Sequence, residues 1–135
     1  MIRVLLVDDH KLVRTGIRLI LEETSDMQVV AEATSGEEAV KLARELKPDV
    51  ILMDVHMPGI GGLEATRKLH AHEPALKVIA VSVHASEPFP LRLREAGAHG
   101  YLTKDCAAEE VVTAVRKVHA GERYITASIA QQLAL

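Results

Sequence analysis

The sequence of 135 residues is long enough for one domain with a single hydrophobic core. Its formal net charge is −3, which argues against nucleic-acid binding through a broad basic face. A lone cysteine, Cys106, cannot form an internal disulfide, and no apolar run approaches the roughly 20 residues that span a bilayer, so a reducing, cytoplasmic location is expected.

Five apolar runs along the chain are the candidate β-strands. The runs at 2–7 and 49–54 contain the continuous apolar stretches VLLV and VILM, whereas the run at 27–33 is weaker. Continuous apolar runs are typical of strands that are buried on both faces of a parallel sheet. The predicted strands are residues 2–7, 27–33, 49–54, 77–82 and 99–103.

Amphipathic patterns between the strands predict five helices. Ser35 and Glu38 have the spacing of a capping box at the start of the second helix, and Lys47-Pro48 ends it. Gly121 follows the fifth helix, whose acidic first turn and basic last turn match the helix dipole. The predicted helices are residues 11–23, 35–46, 62–72, 90–96 and 107–120.

The alternation of strand and helix predicts an α/β fold. Short right-handed crossovers make the strands parallel and place helices on both faces of the sheet. We therefore predict a doubly wound, five-stranded parallel sheet of the flavodoxin type, with strand order 2-1-3-4-5. Ligands of such sheets bind at the carboxyl ends of the strands.

Charged and hydroxyl side chains stand at those strand ends. Asp8 and Asp9 follow the first strand, Asp54 ends the third, Ser82 ends the fourth and Lys104 follows the fifth. The first and third strands are neighbours in the predicted order, so the three carboxylates converge. Carboxylates about 5 Å apart repel by several kcal/mol per pair at an effective dielectric constant near 20.

One lysine cannot neutralise three carboxylates, but a hard divalent cation can. Oxygen ligands of this kind suit Mg²⁺, and the same ion with Lys104 and the Ser82 hydroxyl would bind phosphoryl oxygens. A carboxylate beside such a site can attack phosphorus and form an acyl phosphate. This chemistry explains why Asp54 stands at the end of a buried strand.

These positions together form a recognisable pattern. The sequence resembles the receiver domain of bacterial two-component response regulators from residue 2 to about 120, and "DVHMPGIGGLEATRKL" and "AGAHGYLTK" resemble its NarL/FixJ group. The matching residues are Asp8, Asp9, Asp54, Met57, Pro58, Gly59, Ser82, Tyr101 and Lys104.

The resemblance implies a CheY-like receiver fold and a signalling switch rather than an enzyme. It implies that a sensor histidine kinase, or its phosphotransfer domain, phosphorylates Asp54, and that small phosphodonors do so too. It further implies that Asp9, Asp54 and the main-chain carbonyl of His56 bind Mg²⁺, with Asp8 acting through water. Self-catalysed loss of the phosphoryl group is also implied.

The resemblance also implies how phosphorylation of Asp54 would change the conformation of neighbouring residues. Ser82 and Lys104 would contact the phosphoryl group, and Tyr101 would change rotamer with the state of Ser82. Separately, the fifth helix has more apolar residues than one buried stripe needs, and the first adds Leu19 outside its inward stripe. These residues predict a homodimer that phosphorylation favours, through the first and fifth helices or the face of the fourth. Residues 1–121 are predicted to form the receiver, and 122–135 to begin a linker to a C-terminal helix-turn-helix DNA-binding domain that controls transcription.

Two departures leave parts of the pattern open. Asp105 follows Lys104 where many receivers have a proline, often after a cis bond, and a cis bond before a residue other than proline is costly. His56 and His84 occupy positions that tune the phosphate lifetime in receivers, so this lifetime stays open.

Plainer interpretations compete at each position. Asp8 and Asp9 alone could cap the following helix, and Asp54 alone could form an Asx-turn.

A Mg²⁺-dependent phosphohydrolase of the haloacid dehalogenase type is the main alternative function, but it needs Asp-x-Asp after the first strand. A flavodoxin-like cofactor site is disfavoured because "VDDHK" would repel a phosphate.

Overall fold

The computed structural model describes residues 1–57, 59–82 and 89–133. Strands and helices alternate along the chain as predicted. In chain order they are β1 (Ile2–Val7), α1 (Lys11–Glu22), β2 (Met27–Ala33), α2 (Gly36–Leu46), β3 (Val50–Asp54), α3 (Gly61–His72), β4 (Lys77–Ser82), α4 (Phe89–Glu95), β5 (Gly100–Thr103), α5 (Ala108–His119), β6 (Tyr124–Ile125) and α6 (Ala127–Leu133).

The strands form one parallel sheet in the order β2-β1-β3-β4-β5-β6. The first five strands have the predicted order, so the α/β, CheY-like fold class is confirmed. None of the helices in the described residues has the length and apolarity needed to span a membrane. The Lys104–Asp105 bond is trans, because the described chain contains no cis peptide bond.

Each face of the sheet has its own hydrophobic cluster, since successive strand residues point to opposite faces. One cluster joins alternate residues of the central strands to α1 and α5, and includes Val4, Leu6, Leu52, Ile79, Leu21 and Val115. The other joins the remaining strand residues to α2 and α3, and includes Leu5, Val7, Ile51, Met53, Ala39 and Leu69. Burial on both faces explains the continuous apolar runs.

The sixth strand corrects the predicted count of five. Tyr124 and Ile125 pair with Gly100 and Tyr101, so β5 is not at the edge of the sheet. A strand of two residues has no periodicity that a sequence pattern can reveal. The following helix, α6, buries Ile129 completely. The start of the linker remains a prediction, but residues 124–129 pack on the domain.

The predicted capping box is present at α2. The main-chain N–H of Glu38 donates to Ser35 Oγ at 3.1 Å, and the Glu38 carboxylate accepts from the N–H of Thr34 at 2.7 Å. Lys47 then ends the helix in the left-handed region, with a φ of 48°. Both ends of this helix therefore follow from local sequence.

Candidate functional site

The predicted strand-end residues meet at the carboxyl edge of the sheet. Val7 of β1 pairs with Met53 of β3, so the next residues, Asp8 and Asp54, lie side by side. Lys104, just after β5, places its Nζ 3.1 Å from Asp8 Oδ2 and 3.2 Å from Asp54 Oδ2. One ammonium group thus bridges two carboxylates from different strands.

Asp9 completes an acidic cluster with these two residues. Ligand atoms of Asp8, Asp9, Asp54 and His10 all lie within 4.8 Å of one another. Three carboxylates against one ammonium leave an excess of negative charge, and carboxylate oxygens are the ligands that Mg²⁺ prefers. The donor set therefore fits Mg²⁺.

Burial makes the charge on Asp54 costly. The residue is 1% exposed, and desolvation raises the pKa of its carboxyl group, as does the nearby charge of Asp8. Lys104 and the N–H of His56 act in the opposite direction without reversing the shift. Burial lowers the pKa of Lys104, but its bond to Asp8 and the two carboxylate charges leave it raised, so this lysine is a cation at neutral pH.

The loop after β3 wraps around Asp54. The main-chain N–H of His56 donates to Asp54 Oδ1 at 3.2 Å, and the N–H of Gly62 donates to the carbonyl of Val55 at 3.0 Å. A Cβ atom at residue 62 would collide with the carbonyl oxygen of Asp54, so only glycine lets α3 begin this close to the site. Pro58 lies outside the described residues.

Ser82 and Tyr101 lie on the β4–β5 side of the site. Ser82 is fully buried, and its carbonyl accepts the N–H of Lys104 at 2.7 Å. Tyr101 pairs with Ala80 in the sheet register and is 4% exposed. These positions are compatible with the predicted switch, while His84 lies outside the described residues.

Two residues that sequence reasoning missed contact the cluster. His10 Nδ1 lies 3.0 Å from Asp8 Oδ1 and 3.1 Å from Asp9 Oδ1. Arg14 donates from Nη1 to the carbonyl of Asp8 at 2.7 Å, and its Nε lies 3.0 Å from Glu32 Oε1. The adjacency of His10 to the two acids was a visible signal, whereas the link from Arg14 to Glu32 arises only in the folded chain.

Arg14→Gln is expected to weaken Mg²⁺ binding about tenfold, the usual loss when a group that positions a metal ligand is removed. The Arg14 side chain is 13% exposed and holds the main chain of Asp8 in place through its hydrogen bond to the Asp8 carbonyl. Arg18→Gln is the matched control, because Arg18 also contacts Glu32, at 2.7 Å. Calorimetric titration with Mg²⁺ measures both. Equal losses in the two variants would contradict a specific role for Arg14.

The chain is similar in sequence to a known protein family. The sequence profile described as "Response regulator receiver domain" matches residues 4–116. The chain belongs to this family of receiver domains. Receiver domains bind Mg²⁺ at an acidic pocket and partner with sensor histidine kinases, and the cluster around Asp54 is an acidic pocket of this kind.

The receiver domain is similar to full-length regulators. It is 62% identical to the response regulator GacA of Pseudomonas aeruginosa over 135 residues, which are 100% of this chain and 63% of GacA. It is 56% identical to UvrY of Escherichia coli over 135 residues, which are 62% of that protein. The chain thus spans less than two thirds of the length of these relatives.

A solved structure gives the same family. The two-component response regulator of the LuxR family from Aurantimonas sp. SI85-9A1 has a TM-score of 0.94 and 42% sequence identity, with 98% of this chain and 94% of that chain covered. The predicted resemblance to the NarL/FixJ group is confirmed, and GacA and UvrY are the relatives that support it most directly here. The chain is a signalling receiver domain of the GacA/UvrY type.

Proposed function

We propose that this receiver domain is a phosphoacceptor switch that accepts a phosphoryl group on Asp54 from a sensor histidine kinase or its phosphotransfer domain. The observation that supports this most is the carboxylate of Asp54 itself. It is 1% exposed and lies beside a second buried carboxylate, which folding alone does not favour. Its Oδ2 lies 3.2 Å from Lys104 Nζ, where an incoming phosphoryl group would also meet the ammonium group.

The transfer is an attack by a carboxylate oxygen of Asp54 on phosphorus. A bond forms between this oxygen and phosphorus, while the bond from phosphorus to the donor breaks and its electron pair leaves with the donor. The His56 N–H bond to Oδ1 holds the carboxylate in one orientation. Lys104 and the Ser82 hydroxyl would contact the phosphoryl oxygens.

Asp8, Asp9, Asp54 and the main-chain carbonyl of His56 would hold the Mg²⁺ ion, with Asp8 acting through water. The bound ion supplies positive charge against the phosphoryl oxygens. Asp8 already has its Oδ1 bonded to the N–H of His10 at 2.8 Å, so its carboxylate is oriented by the fold.

Output would follow from the β4–β5 side of the site. If Ser82 turns towards the phosphoryl group, the packing around Tyr101 changes with it. We propose that this change controls transcription through a C-terminal helix-turn-helix domain, as the greater length of GacA and UvrY supports. A phosphorylation-dependent homodimer would be a second way to transmit the signal, since the exposed Leu12 and Leu19 of α1 offer apolar surface to a second copy.

Metal-dependent phosphorylation tests the proposed function. Incubation with acetyl phosphate and Mg²⁺ is expected to add one phosphoryl group that hydroxylamine removes, because an acyl phosphate is a mixed anhydride. Chelation of Mg²⁺ should prevent the addition, since the acidic cluster then repels the phosphodonor. Intact-protein mass spectrometry reads both results, and an adduct that resists hydroxylamine or forms equally without metal would contradict the proposal.

A further inference from the structure

The segment Tyr124–Leu133 lies on a surface formed by α4 and β5. Its first residues extend the sheet, where the N–H of Tyr124 donates to the carbonyl of His99 at 3.2 Å and the N–H of Thr126 donates to the carbonyl of Tyr101 at 3.1 Å. Its helix, α6, then crosses to contact α4. This segment, which we term the tail, therefore attaches directly to the main chain of Tyr101.

The tail also completes a small hydrophobic cluster, distinct from those on the two faces of the sheet. Ile129 is fully buried, and no other described side chain of α6 is buried. Tyr101 is 4% exposed within the same cluster. We term it the Tyr101 cluster; its buried members are Val55, Ala80, Leu93, Ala98, Tyr101 and Ile129.

The Tyr101 cluster reaches from the tail to the acidic site. Val55 directly follows Asp54, and its N–H donates to the carbonyl of Val81, the residue before Ser82, at 3.1 Å. Packed interiors respond to a shift in one member by moving another, because they contain little free volume. A change around Asp54 and Ser82 therefore acts on the packing that holds Ile129.

We propose that the surface of α4 and β5 around Tyr101 is a docking site for the tail, and that phosphorylation of Asp54 releases the tail from it. This inference rests on the proposed function of Asp54. The tail is held by a two-residue edge strand, the buried side chains of Thr126 and Ile129, and the Tyr124 hydroxyl, which donates to Glu110 Oε1 at 2.9 Å. Short segments at the edge of a sheet with few buried side chains open at a low free-energy cost, so the tail can detach without unfolding the domain. Its release would uncover Leu93, Ala98 and Tyr101 to a partner.

Hydrogen exchange in the full chain tests the release. Beryllofluoride, a mimic of the phosphoryl group, is expected to speed exchange of the Tyr124 and Thr126 amides by about tenfold, a typical coupling between linked sites. The amides of Leu5 and Leu6 in central β1 should not change. Fluorine NMR shows independently whether beryllofluoride is bound, and Asp54→Asn provides the unbound control.

Substitutions in the tail test whether release of the tail, in turn, strengthens beryllofluoride binding at Asp54. Ile129→Asp is expected to release the tail without beryllofluoride, because it puts a charge into an apolar cluster. By reciprocity, this variant should bind beryllofluoride about tenfold more tightly than the parent. Ala130→Asp is the matched control, because Ala130 is exposed on the same helix. If Ile129→Asp does not fold, Ile129→Ala should show the same changes to a smaller extent.

The outcomes separate the tail proposal from the function on which it rests. Bound beryllofluoride with unchanged exchange at Tyr124 and Thr126 would overturn tail release and leave the phosphoacceptor role intact. A free tail in Ile129→Asp with unaltered beryllofluoride affinity would overturn it as well. No beryllofluoride binding by the parent would overturn both proposals together.

Discussion

Asp54→Asn is expected to reduce phosphoryl incorporation from acetyl phosphate to background. The amide that replaces the carboxylate has nearly the same volume but is not a nucleophile towards phosphorus. Asp26→Asn is the matched control, since Asp26 lies at the opposite end of the sheet, before β2, and pairs with Arg116 at 2.8 Å. Intact-protein mass spectrometry compares the variants. Equal labelling of Asp54→Asn and the parent would show that another residue accepts the group.

We expect Asp54 rather than Asp8 to react. Both oxygens of Asp8 have close partners: His10 at Oδ1 and Lys104 at Oδ2, 3.1 Å away. Asp54 has the same ammonium group 3.2 Å from its Oδ2, and its Oδ1 accepts the N–H of His56. The main-chain N–H and the ring of His10 both contact Asp8 Oδ1, so the Asp8 carboxylate is more fully engaged and Asp54 is the expected nucleophile. The same geometry leaves Asp54 poorly stabilised in the resting protein.

The second large effect is on stability without metal. Asp54→Asn should raise the free energy of unfolding by about 1–3 kcal/mol, because it removes a buried charge next to Asp8. The raised pKa of Asp54 gives the direction, since its surroundings disfavour the ionised form more than Lys104 favours it. Chemical denaturation in a chelator measures the difference. A variant less stable than the parent would show that the Lys104 ion pair dominates.

The pH dependence of this difference follows from linkage. A carboxyl group whose pKa is raised in the folded state binds more protons there than in the unfolded state, so stability falls as pH rises through this range. The advantage of Asp54→Asn should be complete above the raised pKa. It should disappear as pH falls through that pKa towards the ordinary value of 3.8. Denaturation series at several pH values measure the trend, and a constant difference would contradict it.

Mg²⁺ should offset part of the destabilisation that the buried charge of Asp54 causes. A ligand that binds only the folded state stabilises it by mass action, and the parent offers one more carboxylate than the variant. The midpoint of thermal unfolding should therefore rise more in the parent than in Asp54→Asn when Mg²⁺ is added. Equal shifts in the two proteins would indicate that Asp54 is not part of the metal site.

Local sequence was sufficient for most of the fold. β1 and β2 have the predicted bounds, 2–7 and 27–33, because their apolar residues and flanking polar residues are contiguous in the chain. β6 could not be predicted, since Tyr124 and Ile125 become a strand only by pairing with Gly100 and Tyr101. Whether these two residues form a strand is therefore decided by the tertiary structure and not by the local sequence.

Some residues of the candidate site could likewise be predicted from the sequence, and others could not. Asp8, Asp54 and Lys104 were predictable because the ends of parallel strands meet at one edge of a sheet. Arg14 was not, because its partners, Asp8 just after β1 and Glu32 of β2, are brought to it by the fold. No sequence pattern indicated that Ile129 packs in the Tyr101 cluster, where it brings the tail into contact with the tyrosine.

Locating the phosphoryl group tests the central proposal most directly. After treatment with acetyl phosphate and Mg²⁺, borohydride reduces an aspartyl phosphate to homoserine, and tandem mass spectrometry of the peptides then identifies the modified position. We expect homoserine at position 54, and none at 8 or 9. Homoserine at 8 or 9 instead, or a phosphoryl group on Ser82 or His10 without homoserine at 54, would contradict the account.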